Sequence, residues 1–357
     1  MKPLKVVTIV GARPQFIKAA PVSRALHEAG HQEFLIHTGQ HYDYEMSRVF
    51  FGELGIQEPN RDLEVGSGPH GRQTGEMLLR IEEVLLEQKP DHVLVYGDTN
   101  STLAGALAAC KLRICLSHVE AGLRSFNREM PEEHNRVLTD HISDMLHCPT
   151  KRAVVNLERE GIIRNVHLVG DVMYDSVLHN LKLAEKRSQI LEKLALKQKA
   201  YALATVHRAE NTENTQKLKS IFQTLEKIAL DGLSVIVPLH PRTRHKLDSL
   251  RLPLSTLQLI KPVSYLEMLL LQKQAKVIVT DSGGMQKEAY WLGVPCVTLR
   301  DETEWAETVE SGWNILVGSE TNRILQAVDD PHPGSRLEDV YGDGKAAEKI
   351  VQLISAV

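Results

Sequence analysis

Cysteine is scarce in this chain, and metal-binding motifs are missing. The four cysteines, Cys110, Cys115, Cys148 and Cys296, show no CxxC or metal-ligand spacing and sit among apolar or small residues, so they read as buried, reduced thiols. The sixteen histidines form no HExxH or comparable cluster, which argues against a structural or catalytic metal. No run approaches the about 20 apolar residues needed to cross a bilayer. The opening MKPLKVVTIVG passes straight into a strand and a glycine turn without a cleavage pattern, so a cytoplasmic protein is expected. Positive charge is not in excess: 42 Lys and Arg against 46 Asp and Glu leave a formal charge of -4, which offers no general attraction for nucleic acid or an anionic membrane. Any anionic ligand must be held by local basic groups. The first strand and turn lack the GxGxxG fingerprint, which counts against NAD or FAD, and no cofactor is expected.

What is present is ordinary globular composition, 42% apolar and 25% charged, in 357 residues, a length that suits two domains. Short β-branched runs alternate with helical spacing along the whole chain. Lys5–Val10, Glu33–Thr38, His92–Tyr96, Ile114–Val119, Leu146–Cys148 and His167–Val169 read as strands of a first domain, residues 1–172. The charged stretch 177–199 reads as a helical connection. The alternation then restarts at Tyr201–Val206 and continues through Ser234–Pro238, Leu257–Ile260 and Ala275–Thr280 to a last strand, Val294–Leu299, in a domain spanning 173–343. A terminal helix, 344–357, is expected to pack back on the first domain. The fold class is α/β: two doubly wound, Rossmann-like domains facing a cleft.

In such sheets ligands bind beyond the carboxyl ends of the strands, and here those ends are crowded with ionisable groups. Val95–Arg136 holds the densest set, with Asp98 after one strand and Glu120 after the next. Glu120, Arg124, Arg128, Glu129, Glu132, Glu133, His134 and Arg136 fall within seventeen residues around a loop at Pro131. Asp98 and Glu120 are the first candidates for acid and base, although Asp98 before Thr99 and Ser101 also fits a helix N-cap. Gly11–Gln15 gives a helix start flanked by Arg13 and Lys18, suited to a phosphate or equally to solvent. After Asp281 at a strand end, Ser282, Gly283 and Gly284 open a helix in the manner of a diphosphate nest, with Glu288 one turn in. These patterns leave a glycosyltransferase, an epimerase and a binding protein all open.

The motifs GARPQFIKAAPV, HTGQHYD, YGDTNSTLAG, HVEAGLRS, MPEEHNR, TVHRAEN, PLHPRTR, TDSGGMQKEA and RDETEW, in this order over essentially the whole length, resemble the non-hydrolysing UDP-N-acetylglucosamine 2-epimerase family. That resemblance implies the glycosyltransferase B-type fold. It also implies inversion at C2 of a UDP-2-acetamido sugar by deprotonation, loss of UDP to a glucal intermediate and re-addition. It places acid and base roles on Asp98, Glu120 and Glu132, with Glu133 the rival of Glu132, and sets His207 near the leaving diphosphate. Arg13, Ser282, Gly283 and Gly284 would hold the diphosphate and Glu288 the ribose, with Lys18, Arg136 and His240 completing the polar cleft. Gln40, His41 and Arg72 are candidate contacts for a second, activating UDP-sugar, and a homodimer is implied. GARPQ, YGDTNST and RSFNREMPEE are similar to the branch acting on UDP-2,3-diacetamido-2,3-dideoxyglucuronate for surface polysaccharide such as lipopolysaccharide. Its extra acetamido and carboxylate groups would need a cation such as Arg128, Arg72 or His70. The alternatives kept open are a B-type glycosyltransferase using a UDP-sugar donor and a non-enzymatic UDP-sugar binding protein.

Overall fold

A computed structural model of the chain describes residues 2–40, 57–331, 333–334 and 340–356, and only the backbone of residues 13, 241 and 242. The chain divides into two compact units, Met1–Leu178 with Asp339–Val357, and His179–Glu338. The first is built on an all-parallel sheet of β1 (Lys5–Val10), β2 (Gln32–His37), β3 (Arg61–Asp62), β4 (His92–Tyr96), β5 (Cys115–Val119), β6 (Met145–Cys148) and β7 (Val166–Leu168), in the order β3-β2-β1-β4-β5-β6-β7. β4 is buried at all five positions, the pattern of a strand covered on both faces. The small-residue helix Asn100–Leu112 lies close against the sheet: a Cβ on Gly105 would come within 2.7 Å of Ile9 Cδ1, so that position tolerates no side chain.

The second unit repeats the plan with β8 (Tyr201–Thr205), β9 (Ser234–Pro238), β10 (Gln258–Ile260), β11 (Val277–Thr280), β12 (Cys296–Thr298) and β13 (Asn314–Leu316), in the order β10-β9-β8-β11-β12-β13. In each sheet the winding direction reverses once, between β1 and β4 in the first and between β8 and β11 in the second. Right-handed crossovers therefore carry helices to both faces, and the reversal opens a crevice at the carboxyl ends of the two neighbouring strands. The exits of β1 and β4 are Gly11–Arg13 and Gly97–Asp98. Those of β8 and β11 are Val206–Arg208 and Asp281–Gly284.

Several expectations need correction. Pro131 does not sit in a loop; it is the first residue of the helix Pro131–Ile142, where its missing amide hydrogen and fixed φ suit the first turn. β12 is not the last strand, because the short edge strand β13 follows it. The connecting stretch is helical earlier than expected, as Val172–Arg187 and then one turn at Ile190–Lys193. After β9 the chain forms the helix Pro241–Leu250. Of the four cysteines expected as buried, only Cys148 and Cys296 are; Cys110 is exposed and Cys115 half-buried, and all four are free. The terminal helix Ala346–Ser355 packs against Arg13–Glu28, with Ser355 Oγ 2.7 Å from His31 Nε2 and the Ala347 amide donating to Asp175 at 2.8 Å.

Candidate functional site

In the first unit, the β1 turn is stapled to the end of β4 by Gln15. Its side-chain oxygen accepts from the amides of Gly11 (2.8 Å) and Ala12 (3.0 Å), and its amide nitrogen donates to the Tyr96 carbonyl at 2.8 Å. Gly11 is required here, since any Cβ would run into the hydroxyls of Thr38 and Ser101. Arg13 begins the following helix, but its side chain lies outside the described residues. Lys18, one turn further on, forms an ion pair with Glu120. Burial works against the charge on Lys18, but Glu120, Asp98 and Asp171 outweigh it and hold the pKa above the ordinary lysine value.

Asp98 does not cap the helix after β4. Thr99 does, its hydroxyl accepting from Thr102 N at 3.3 Å, which leaves the Asp98 carboxylate to pair with Arg136. Glu120 stands one strand over with φ +75°, a left-handed backbone costly for a non-glycine residue. The His147 carbonyl on the neighbouring strand fixes it by accepting from the amides of Glu120 and Ala121, both at 3.1 Å.

The helix Pro131–Ile142 separates the two rival glutamates. Glu133 is buried and accepts from Ser125 N (2.9 Å), Ser125 Oγ (2.8 Å) and Phe126 N (3.0 Å), while Arg136 Nη1 lies 3.1 Å away. Burial alone would raise its pKa, but these donors together lower it. Glu133 thus anchors the 125–130 loop and holds Phe126 exposed at φ +58°, while Glu132 is exposed in the first helical turn. Arg128, His70 and Arg72 are exposed, with His70 Nδ1 3.1 Å from Asn100 Nδ2. Gln40 is engaged, its oxygen accepting from Ser101 N (3.1 Å) and Oγ (2.6 Å). His41 lies outside the described residues.

In the second unit the organiser is the acidic residue at the end of β11. Asp281 is fully buried and accepts from the amides of His207 (3.1 Å) and Arg208 (3.0 Å) and from Asn211 Nδ2 (3.0 Å). Its Oδ1 also lies 3.2 Å from Nδ1 of the half-exposed His207 ring. Ser282 caps the helix Gly283–Leu292 through Met285 N. A Cβ on Gly283 would lie 2.6 Å from Glu304 Oε1 and 3.3 Å from Trp305 Nε1, so a side chain there would displace the ends of these two residues. Burial would raise the Glu304 pKa, but its own amide, Arg300 and Arg208 lower it. Glu288 is buried and accepts from Gln272 Nε2 at 2.7 Å, with the Tyr265 hydroxyl 3.4 Å away. His240 is exposed at the end of β9.

Among the described residues no cluster of three or more His, Cys, Asp or Glu could hold a metal, and no helix is long and apolar enough to cross a membrane. The site residues are carboxylates, cations and backbone amides placed at a switch point in each unit. Groups of these kinds are suited to proton transfer and to holding a polyanion.

Comparison with known proteins agrees. The family model for UDP-N-acetylglucosamine 2-epimerase matches residues 24–355. A UDP-N-acetylglucosamine 2-epimerase homolog of Methanococcus maripaludis is 56% identical over 98% of this chain and 99% of its own. The UDP-2,3-diacetamido-2,3-dideoxy-D-glucuronate 2-epimerase of Pseudomonas aeruginosa is 48% identical over 99% of both chains. The crystal structure of the Methanocaldococcus jannaschii UDP-GlcNAc 2-epimerase, in complex with UDP-GlcNAc and UDP, is similar with a TM-score of 0.86 and 47% identity, covering 99% of this chain and 100% of that one. The two Rossmann-like units are those of the glycosyltransferase B-type fold, and the chain belongs to the UDP-N-acetylglucosamine 2-epimerase family of enzymes.

Proposed function

We propose that this enzyme inverts C2 of a UDP-2-acetamido sugar without hydrolysing it. The observation that carries this reading is the pairing of two carboxylates at adjacent strand ends, Asp98 on Arg136 and Glu120 on Lys18. A weakly acidic C2–H needs a positioned base on one face and an acid on the other. The base takes the C2 proton, the electron pair forms the C1–C2 double bond, and the C1–O bond breaks with its electrons going to UDP. In the reverse addition UDP attacks C1 and the opposite face of C2 is protonated. Ser282, Gly283, Gly284 and Arg13 serve the diphosphate, His207 its departure, and Glu288 the ribose. Lys18, Arg136 and His240 add polar contacts, and Glu132 acts beside Asp98 and Glu120 in the proton transfers.

The substrate class is a UDP-sugar bearing a 2-acetamido group, either UDP-GlcNAc or its 2,3-diacetamido uronate, made as a precursor for surface polysaccharide. A cytoplasmic homodimer with a second UDP-sugar as activator belongs to the same proposal. Relatives named as epimerases at 56% and 48% identity over nearly full length favour this over a glycosyltransferase. Incubation of the enzyme with each sugar in deuterated water tests both reaction and substrate. Deuterium at C2 and the manno product are expected. Absence of deuterium from both sugars removes the proposal.

A further inference from the structure

Beneath the two strand ends lies an ionic chain, buried from His118 through Asp140 to Arg124 and ending on the exposed Glu160, that none of the assigned roles uses. His118, on β5, is fully buried, as is the Asp140 side chain that reaches it from the helix Pro131–Ile142. Asp140 Oδ1 lies 2.6 Å from His118 Nδ1, and the Gly97 carbonyl lies 2.7 Å from His118 Nε2. The other oxygen, Oδ2, accepts from Arg124 Nη1 (2.6 Å) and Gly122 N (3.1 Å), and Arg124 continues to Glu160 through Nε (2.7 Å) and Nη2 (2.8 Å).

The donor and acceptor inventory of this chain is restrictive. A backbone carbonyl only accepts, and so does a carboxylate that already takes two donors from Arg124 and Gly122. Both ring nitrogens of His118 therefore face acceptors at hydrogen-bonding distance, and a neutral imidazole has one proton too few to serve them. Burial pushes the Asp140 pKa up, but His118 and Arg124 bring it below the usual aspartate value. At the exposed end of the chain His141 Nε2 lies 3.5 Å from Glu160 Oε2. Burial, with His167, His92 and His118, drives His147 down to about 3, and burial with Asp140 drives the Cys148 thiol up to about 12.

Each end of the chain fastens a catalytic loop. His118 holds the carbonyl of Gly97, the residue before Asp98, while the Gly97 amide donates to Val119, the residue before Glu120, at 3.0 Å. Asp140 holds the amide of Gly122, two residues past Glu120. We propose that His118 is a positioning residue kept as an imidazolium by Asp140, donating from both ring nitrogens so that Asp98 and Glu120 are set relative to one another for the C2 proton transfers. This inference rests on the epimerase reading for its catalytic half, and on geometry alone for its charge state.

Nitrogen NMR of the full-length protein labelled at histidine, with the His118 signal assigned by its loss in His118→Gln, tests the charge state directly. Both His118 nitrogens are expected to carry protons at neutral pH. A deprotonated nitrogen at neutral pH overturns the proposal whatever the kinetics show. In Asp140→Asn, kcat for C2 exchange is expected to fall about 10- to 100-fold, with the acidic and basic limbs of its pH profile displaced and the UDP dissociation constant within about twofold. Exchange in that variant within about twofold of wild type overturns the positioning role. If Asp140→Asn does not fold, His118→Gln carries the same kinetic comparison. If wild type exchanges neither sugar, the epimerase reading and the catalytic half fall together, while the NMR signal still decides the charge.

Discussion

His207 and Asp281 stand at the exits of two neighbouring strands in the second unit, with the ring Nδ1 3.2 Å from a fully buried carboxylate oxygen. Asp281 is an acceptor, so Nδ1 is the ring nitrogen held toward it as a donor. The same carboxylate receives two backbone amides and Asn211, so the two residues are expected to respond differently to substitution. Asp281→Asn should lose stability of about 1–3 kcal/mol as well as activity, because buried donors lose their acceptor. His207→Gln should lower kcat with the melting temperature unchanged. Thermal melts beside the exchange assay check this, and an early melt in His207→Gln would assign the ring a structural role instead.

Glu132 and Glu133 differ in the same way. Glu133→Gln replaces one accepting oxygen by a donor facing Ser125, Phe126 or Arg136, at an expected cost of roughly 1–3 kcal/mol and a loosened 125–130 loop. Glu132→Gln touches an exposed side chain, so stability should stay within about 0.5 kcal/mol while C2 exchange falls. Denaturant melts and exchange rates on both variants separate anchor from reacting group. Unchanged exchange in Glu132→Gln would take Glu132 out of the chemistry.

The contrast between these glutamates shows what the amino-acid order could and could not disclose. Strands were legible because β-branched runs end abruptly in Gly, Asp or Glu, as at Tyr96–Gly97–Asp98. The helix start at Pro131 was hidden by charge density that resembles a loop. Once it is placed there, Glu133, Arg136 and Asp140 follow at helical spacing and point three ionic groups inward. Asp281 and Gln15 were invisible as organisers for a different reason. Their partners come from strands adjacent only because each sheet reverses at a switch point, and strand order is a property of the whole fold. The two-residue β3 and the three-residue β13 carry too little periodicity to be seen.

Gly283 gives a prediction about the nest. Its added Cβ would press on Glu304 Oε1 and Trp305 Nε1, both ends of side chains and not backbone, so the helix itself need not move. Gly283→Ala is expected to keep stability within about 0.5 kcal/mol. Crowding at the helix N-terminus should still weaken UDP binding about tenfold, or about 1.4 kcal/mol. Calorimetric titration with UDP checks it. Wild-type affinity in this variant would move the diphosphate away from Ser282–Gly284.

Asp175 links pH to the docking of the terminal helix. Burial raises its pKa to about 6, with Asp171 and Asp343 adding to the shift and the amides of Ala347 and Ala346 opposing it. Its Oδ1 is buried without a hydrogen-bond partner among the described residues, as suits a carboxyl that holds a proton. Because the folded value lies above the ordinary one of 3.8, the protonated carboxyl favours the folded state. That contribution is complete below pH about 4 and is lost as pH rises through about 6. A shift of about two units corresponds to roughly 2 to 3 kcal/mol. Asp175→Asn, neutral at every pH, is therefore expected to exceed wild-type stability by up to that amount at pH about 8, with the gap closing by pH about 4. Denaturant unfolding at the two pH values measures it. A pH-independent difference would mean that the Asp175 carboxyl titrates alike in the folded and the unfolded chain, and would remove this pH link.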